Sequence, residues 1–271
     1  MNRYAVLFFV CTSMHSLTSM ESCLIPLNNQ SIAKYQNNVE LRYHCAKSYL
    51  SRLVFENNQR VASIGCDDSR VTEEIAKKVP RGMVEEISVD CMRSDYKYHH
   101  AIALGSLSWV KNKEKALKDI SALLVDEGRL IAVIPHKDSA YLRARYKMHT
   151  HTTWQKFFDD YEVPYYPSNE DELRLLLQKV GFKPLRLVKG NAKYNFKTKK
   201  EFIDLIRTFS IQLDRIPQAL HEEFFNDIVT EYLAMVPQRD DGSILLSIPS
   251  ISLVAEKVPL DTMLLSSGIS L

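Results

Sequence analysis

Arg60-Val61-Ala62-Ser63-Ile64-Gly65-Cys66-Asp67-Asp68-Ser69 is the stretch that decides the fold class. Its first half is a short, mostly apolar run, the pattern of a buried strand, and Gly65 turns it. Asp67 and Asp68 then open a helix, where carboxylates are stabilised by free amides and the helix dipole whatever the function. Strand, glycine turn and helix together form the unit at which an open α/β sheet meets nucleotide-like ligands, because backbone amides and the helix N-terminus face the ligand there.

Upstream, Val39, Tyr43, Ala46, Tyr49, Leu50 and Leu53 recur at helical spacing, so residues 31–55 are expected to form an amphipathic helix that Asn57-Asn58 ends. Downstream, the expected order is helix 72–78, strand 83–89, strand 101–104, helix 114–124 and strand 129–135. A helix 140–158 follows, then a proline-bounded aromatic loop 161–167, helix 169–180 stopped by Gly181, and strand 182–188. Helices 200–210 and 217–235 precede a final strand, 251–255. This alternation argues a mostly parallel, doubly wound α/β sheet with a helical insertion, about 197–236, before its last strand. Residues 31–258 read as one domain, between a leader of residues 1–30 and a tail of residues 259–271.

Thirty-five basic against thirty-three acidic residues leave a formal charge of +2, too little to imply nucleic acid or a membrane surface as partner. No stretch approaches the ~20 apolar residues of a membrane span. Five cysteines without a C-x-x-C pair indicate neither a zinc ribbon nor a disulfide framework, so a cytoplasmic setting is expected. Only Asn2-Arg3 and the apolar run Tyr4–Val10 argue for secretion, if residues 1–23 are a signal peptide; an irregular leader or a start at Met20 are the alternatives. No metal site is expected, since His99 and His100 alternate across a strand and His149 and His151 have no carboxylate or cysteine at ligand spacing.

Ile64-Gly65-Cys66-Asp67-Asp68-Ser69 resembles the first cofactor motif, Asp-Ile-Gly-Cys-x-Asp-Gly, of the juvenile hormone acid and trans-aconitate methyltransferases. Leu107-Ser108-Trp109-Val110 is similar to that family's Leu-His-Trp-Val. Leu124–Gly128 before an apolar strand, Asp171–Phe182, and residues 197–257 extend the likeness in order over about 31–257. The resemblance implies a Rossmann-like, class I methyltransferase fold. It implies S-adenosylmethionine as cofactor, held by Gly65, Cys66, Asp67, Asp68 and Ser88, and a small carboxylic acid or lipid-like acid as substrate, contacted by Trp109 and Glu40. The implied product is a methyl ester. No catalytic residue is assigned, because methyl transfer is carried by positioning.

Departures from the family pattern point the other way. Ser63 stands for an acidic residue, Ser69 for a glycine, Ser88 for the ribose-binding aspartate, and Glu40 for a glutamine. Ser69 is expected to crowd the methionine end of the cofactor, and Glu40 to repel a carboxylate by ~1 kcal/mol or more. Asp90, two positions beyond Ser88, is expected to face the same side. A helix, strand and helix of the family are missing, leaving only Cys91 to Tyr98, so the sheet should lack an edge strand. A degenerate paralogue, a shortened splice form and a gene model lacking a coding segment all leave such a gap. The rival expectation is an inactive pseudoenzyme that binds a hydrophobic ligand or a protein through Phe202, Ile206, Phe209, Phe224 and Phe225 of the insertion.

Overall fold

The computed structural model describes residues 38–66, 68–208, 210 and 212–259, and within the first helix the side chains of Tyr43 and of residues 45–50. The leader and most of the tail lie outside these residues. The elements run α1 (Asn38–Leu50), β1 (Arg60–Ile64), α2 (Ser69–Ala76), β2 (Met83–Ile87), β3 (Tyr98–Leu104), α3 (Lys113–Leu123), β4 (Leu124–Pro135), α4 (Ala140–Lys147), α5 (Glu170–Lys179), β5 (Phe182–Phe196), α6 (Lys199–Thr208), α7 (His221–Met235) and β6 (Ile244–Lys257). The strands form one sheet in the order β2-β1-β3-β4-β6-β5. The first four strands are parallel, and β6 runs antiparallel between β4 and β5.

Alternation along β1 assigns its two faces. Val61 packs with Leu50 and Leu53, from α1 and the turn after it, and with Val71 and Ile75 of α2. Ala62 and Ile64 point the other way, into a cluster with Leu117 and Ile120 of α3 and Leu173 and Leu177 of α5. Helices therefore cover both faces, as expected of a doubly wound sheet.

β2 is an outermost strand, and among the described residues no strand lies beyond it. Its link to β3 occupies residues 88–97, on the other side of β1. The chain must travel back about 17 Å along the strands and about 10 Å across two strand spacings. Ten extended residues reach at most about 33–36 Å, so a coil suffices where a helix would fall short. Val89 and Met92 of this coil pack on the α3 face. The Tyr98 hydroxyl donates to the Glu85 carboxylate, and Ser94 Oγ donates to the same oxygen at 3.1 Å.

Three expectations need correction. Helix α4 ends at Lys147 rather than continuing to Phe158. His149 and Thr150 donate back only three residues, to Tyr146 O (3.0 Å) and Lys147 O (3.1 Å). The run His149-Thr150-His151-Thr152-Thr153 is poor in helix formers, and its turns bring Trp154 and Phe158 into the core. Second, β5 and β6 extend well past 188 and before 251, pairing from Phe182↔Lys257 to Phe196↔Ile244. Tyr194, Phe196, Ile244 and Leu246 on this ribbon carry the insertion. Third, Phe202, Ile206, Phe224 and Phe225 are fully buried in that packing and offer no docking surface; Phe209 lies outside the described residues.

Candidate functional site

Gly65 ends β1 with φ +60°, a left-handed conformation that glycine adopts without strain. Its N–H donates to Ile87 O at 2.8 Å, carrying the β1–β2 ladder one residue past the strand. A Cβ added at Gly65 would stand 2.7 Å from Ser106 Cβ. Ser106 is buried and its Oγ donates to Ile64 O at 2.7 Å. The turn is thus locked from β3's side by one serine, and glycine is required for its shape as well as for any ligand.

Beyond the turn, Cys66 Sγ donates to Asp68 O at 3.0 Å. Burial above all, with the Glu86 carboxylate adding, pushes the Cys66 thiol up from its ordinary value. Asp68 caps α2, accepting from Arg70 N at 3.1 Å, and holds the Arg70 guanidinium through its Oδ2 at 2.6 Å. Arg70 in turn lies 4.2 Å from the centre of the Tyr43 ring. Asp67 lies outside the described residues, as does the Glu40 side chain.

Gly65, Cys66, Ser88 and Trp109, drawn from three separate segments, line one cleft of about 570 Å³. Glu86, Val89, Asp90 and Ser106 complete most of its wall. Asp68 and Ser69 are not among the lining residues, and Ser69 is exposed on the first turn of α2. The tight contact in this turn is the one between Gly65 and Ser106.

One wall of the cleft is acidic. β2 stops at Ile87, and the turn that follows, in which Asp90 N donates to Ser88 Oγ at 3.2 Å, puts Ser88 and Asp90 on the same cleft. Strand alternation predicted this neighbourhood, although a turn produces it. Glu86 is a lining residue that the sequence reading passed over. The signal was the adjacent pair Glu85-Glu86 just before Ser88, one member turned to Tyr98 and the other to the cleft.

Trp109 closes the short 3-10 turn Ser106–Trp109 that follows β3. It is 41% exposed, which places it on the rim and not beneath the sheet edge. Its ring meets Tyr165 edge-on, at 5.1 Å and 71°. The aromatic loop is tied to the same turn, since Tyr166 N donates to Ser108 O at 2.6 Å. The histidines serve structure: His99 Nδ1 accepts from Arg60 N at 3.0 Å, and the His149 ring stacks on Phe158 at 4.3 Å. Among the described residues, no group of three or more His, Cys, Asp or Glu side chains is placed to hold a metal ion.

No family model matches the chain. It is 20% identical over 240 residues to the "Putative methyltransferase 235L" of Invertebrate iridescent virus 6, covering 80% of this chain and 89% of the viral protein. It is 21% identical over 242 residues to the juvenile hormone acid O-methyltransferase of Bombyx mori, covering 75% of this chain and 85% of the silkworm protein. Among solved structures, a Bacillus halodurans protein described as a "putative methyltransferase" superimposes with a TM-score of 0.54 at 12% identity, over 79% of this chain and 99% of that one. The sheet order, the glycine turn and the antiparallel sixth strand agree with these likenesses: the chain has the class I methyltransferase fold, and in sequence it resembles the juvenile hormone acid O-methyltransferases.

Proposed function

We propose that this cleft holds S-adenosylmethionine and that the chain transfers its methyl group to the carboxylate of a small, largely apolar acid. The observation that carries this reading is the convergence of the Gly65 turn, the acidic wall and Trp109 on one cleft. Its volume is within the range of small-molecule sites. A ligand with ribose hydroxyls and a cationic sulfur suits an acidic wall, because carboxylates accept from hydroxyls and favour nearby positive charge. When bound, the cofactor supplies an activated methyl group.

Glu86 and Asp90 are the residues assigned to the ribose, in place of the family aspartate that Ser88 replaces. Gly65 and Cys66 bring main chain close to the methionine end. Trp109 offers a fixed indole N–H beside a large apolar surface, which suits a carboxylate on a greasy chain. The acceptor is ionised near neutral pH, so no side chain has to remove a proton and alignment carries the rate. The relative from Bombyx mori, whose name specifies an acid as its substrate, supports the carboxylate.

A second reading, an inactive scaffold, is favoured by a specific observation. The Gly65 N–H is engaged by Ile87 O, Ser88 Oγ by the Asp90 amide, and among the described residues no strand lies beyond β2. Incubation with methyl-tritiated S-adenosylmethionine and a panel of apolar carboxylic acids separates the two. The enzyme reading predicts a base-labile labelled ester that Trp109→Phe diminishes. No labelled ester from any acid would leave the scaffold reading.

A further inference from the structure

A second cavity, of about 1360 Å³, opens between the first turn of α3, the aromatic loop and α5. Val163, Tyr165, Leu175 and Leu176 give it an apolar floor, and Leu175 is left 68% exposed. Trp109 lines the Gly65 cleft and Tyr165 lines this cavity, so the two adjoin at that edge-on ring pair and share no lining residue.

The charged side chains of this cavity are paired, with one exception. Lys111 holds Glu162 at 2.7 Å, Lys137 holds Glu172, and Glu114 is taken by Lys118 at 2.8 Å and Lys179 at 2.6 Å. Lys113 is half-buried and has no carboxylate partner among the described residues. Its Nζ donates to Tyr166 O and, at 3.4 Å, to Val110 O, and lies 5.6 Å from the centre of the Tyr166 ring. An ammonium has three N–H donors, so two carbonyls leave it one. Burial first, against the Glu172 carboxylate and with the Lys137 charge, pushes the Lys113 pKa down to about 8. An anion on the remaining N–H supplies the counter-charge that the fold leaves out.

We propose that this second cavity binds an amphiphilic carboxylate, its head group on Lys113 and its chain along Val163, Leu175 and Leu176. The site is separate from the Gly65 cleft and stands whether or not the chain transfers a methyl group. A single unpaired cation matches a monoanion, and the nearby Glu172 and Glu114 disfavour a second negative charge. Binding keeps Lys113 protonated above pH 8, so affinity is level below about 8 and falls above it. Other groups at the cavity hold their charge there: lysine partners keep Glu114 and Glu162 low, Glu162 keeps Lys111 high, and Lys137 stays paired with Glu172. Burial keeps Tyr166 high and His149 low.

The test photolyses the full chain with a decanoic acid carrying a terminal diazirine and maps the adducts by peptide mass spectrometry. Competition of the adducts within residues 163–176 by sodium decanoate and by 1-decanol, at pH 7 and pH 9, reads this site alone. At pH 7 the acid should compete about tenfold or more better than the alcohol, the scale of a hydrogen bond to a charged group. At pH 9 the acid should lose about tenfold and the alcohol nothing. Lys113→Met should remove both the preference and the pH dependence, while Lys113→Arg should keep the preference and lose the pH dependence. Adducts confined to the Gly65 cleft, or equal competition by acid and alcohol in the wild type, overturn the proposal and decide it even if Lys113→Met fails to fold. A folded Lys113→Met that keeps the acid preference at residues 163–176 overturns it too.

Discussion

At Gly65 two constraints meet that are separable by experiment. Alanine there must adopt φ near +60° and must also move Ser106. Gly65→Ala should therefore lower stability by about 1–3 kcal/mol in urea unfolding, and Ser106→Gly should recover the steric share but not the backbone share. An unchanged midpoint would show that the turn is looser than drawn. His100 makes a second residue-scale prediction. Its Nε2 lies 2.9 Å from Gln59 Oε1 and its buried Nδ1 has no partner, so a second proton finds no acceptor. Burial first, then the nearby Arg129 and His99 charges, hold its pKa down at about 4. Between pH 4 and about 6.5 the unfolded state binds the extra proton. Stability should thus be present above about 6.5 and fall as pH falls toward 4, with a slope that His100→Gln reduces by up to one proton. Thermal midpoints from pH 4 to 7 check this, and parallel profiles for the two proteins would refute it. At this scale Gly65, Ser88 and Trp109 were legible from motif spacing. The burial of Arg145 beside three tyrosine rings was not, because those rings come from two segments that no local pattern joins.

Among the elements, β2 and the coil of residues 88–97 are the thinnest part of the sheet. Five residues pair on one side only, and the coil is held by Val89, Met92 and the Ser94–Tyr98–Glu85 cluster. Hydrogen exchange should be faster in Met83–Ile87 than in β3 and β4, and Tyr98→Phe should accelerate it further. Equal protection across the four parallel strands would contradict an open edge. The missing strand was readable in the sequence as a gap too short for a helical crossover; that a coil could span it followed only from the end-to-end distance. The ribbon of β5 and β6 shows the opposite failure. Ala192, Tyr194 and Phe196 do alternate, but Gly190 and the interleaved Lys193 and Asn195 read as a loop until their partners, residues 244–248, are known.

For the molecule as a whole, the sheet supplies the cleft and the insertion packs on the ribbon of β5 and β6. Trp154, Phe202, Phe224 and Tyr232 fill the insertion's core, and Trp154 Nε1 donates to Asp227 Oδ2 at 2.7 Å. Phe224→Ala should cost about 3–5 kcal/mol, detectable by chemical denaturation, and a cost near zero would mean that the insertion is not packed as described. The likeness to methyltransferases and the internal geometry converge on a single claim, that the cleft beside Gly65 accepts an adenosyl ligand. Isothermal titration of the full chain with S-adenosylhomocysteine tests it most directly. The account predicts a saturable one-to-one isotherm that Gly65→Ala weakens about tenfold or more, about 1.4 kcal/mol or above; a folded wild-type protein giving no heat at millimolar ligand would contradict it.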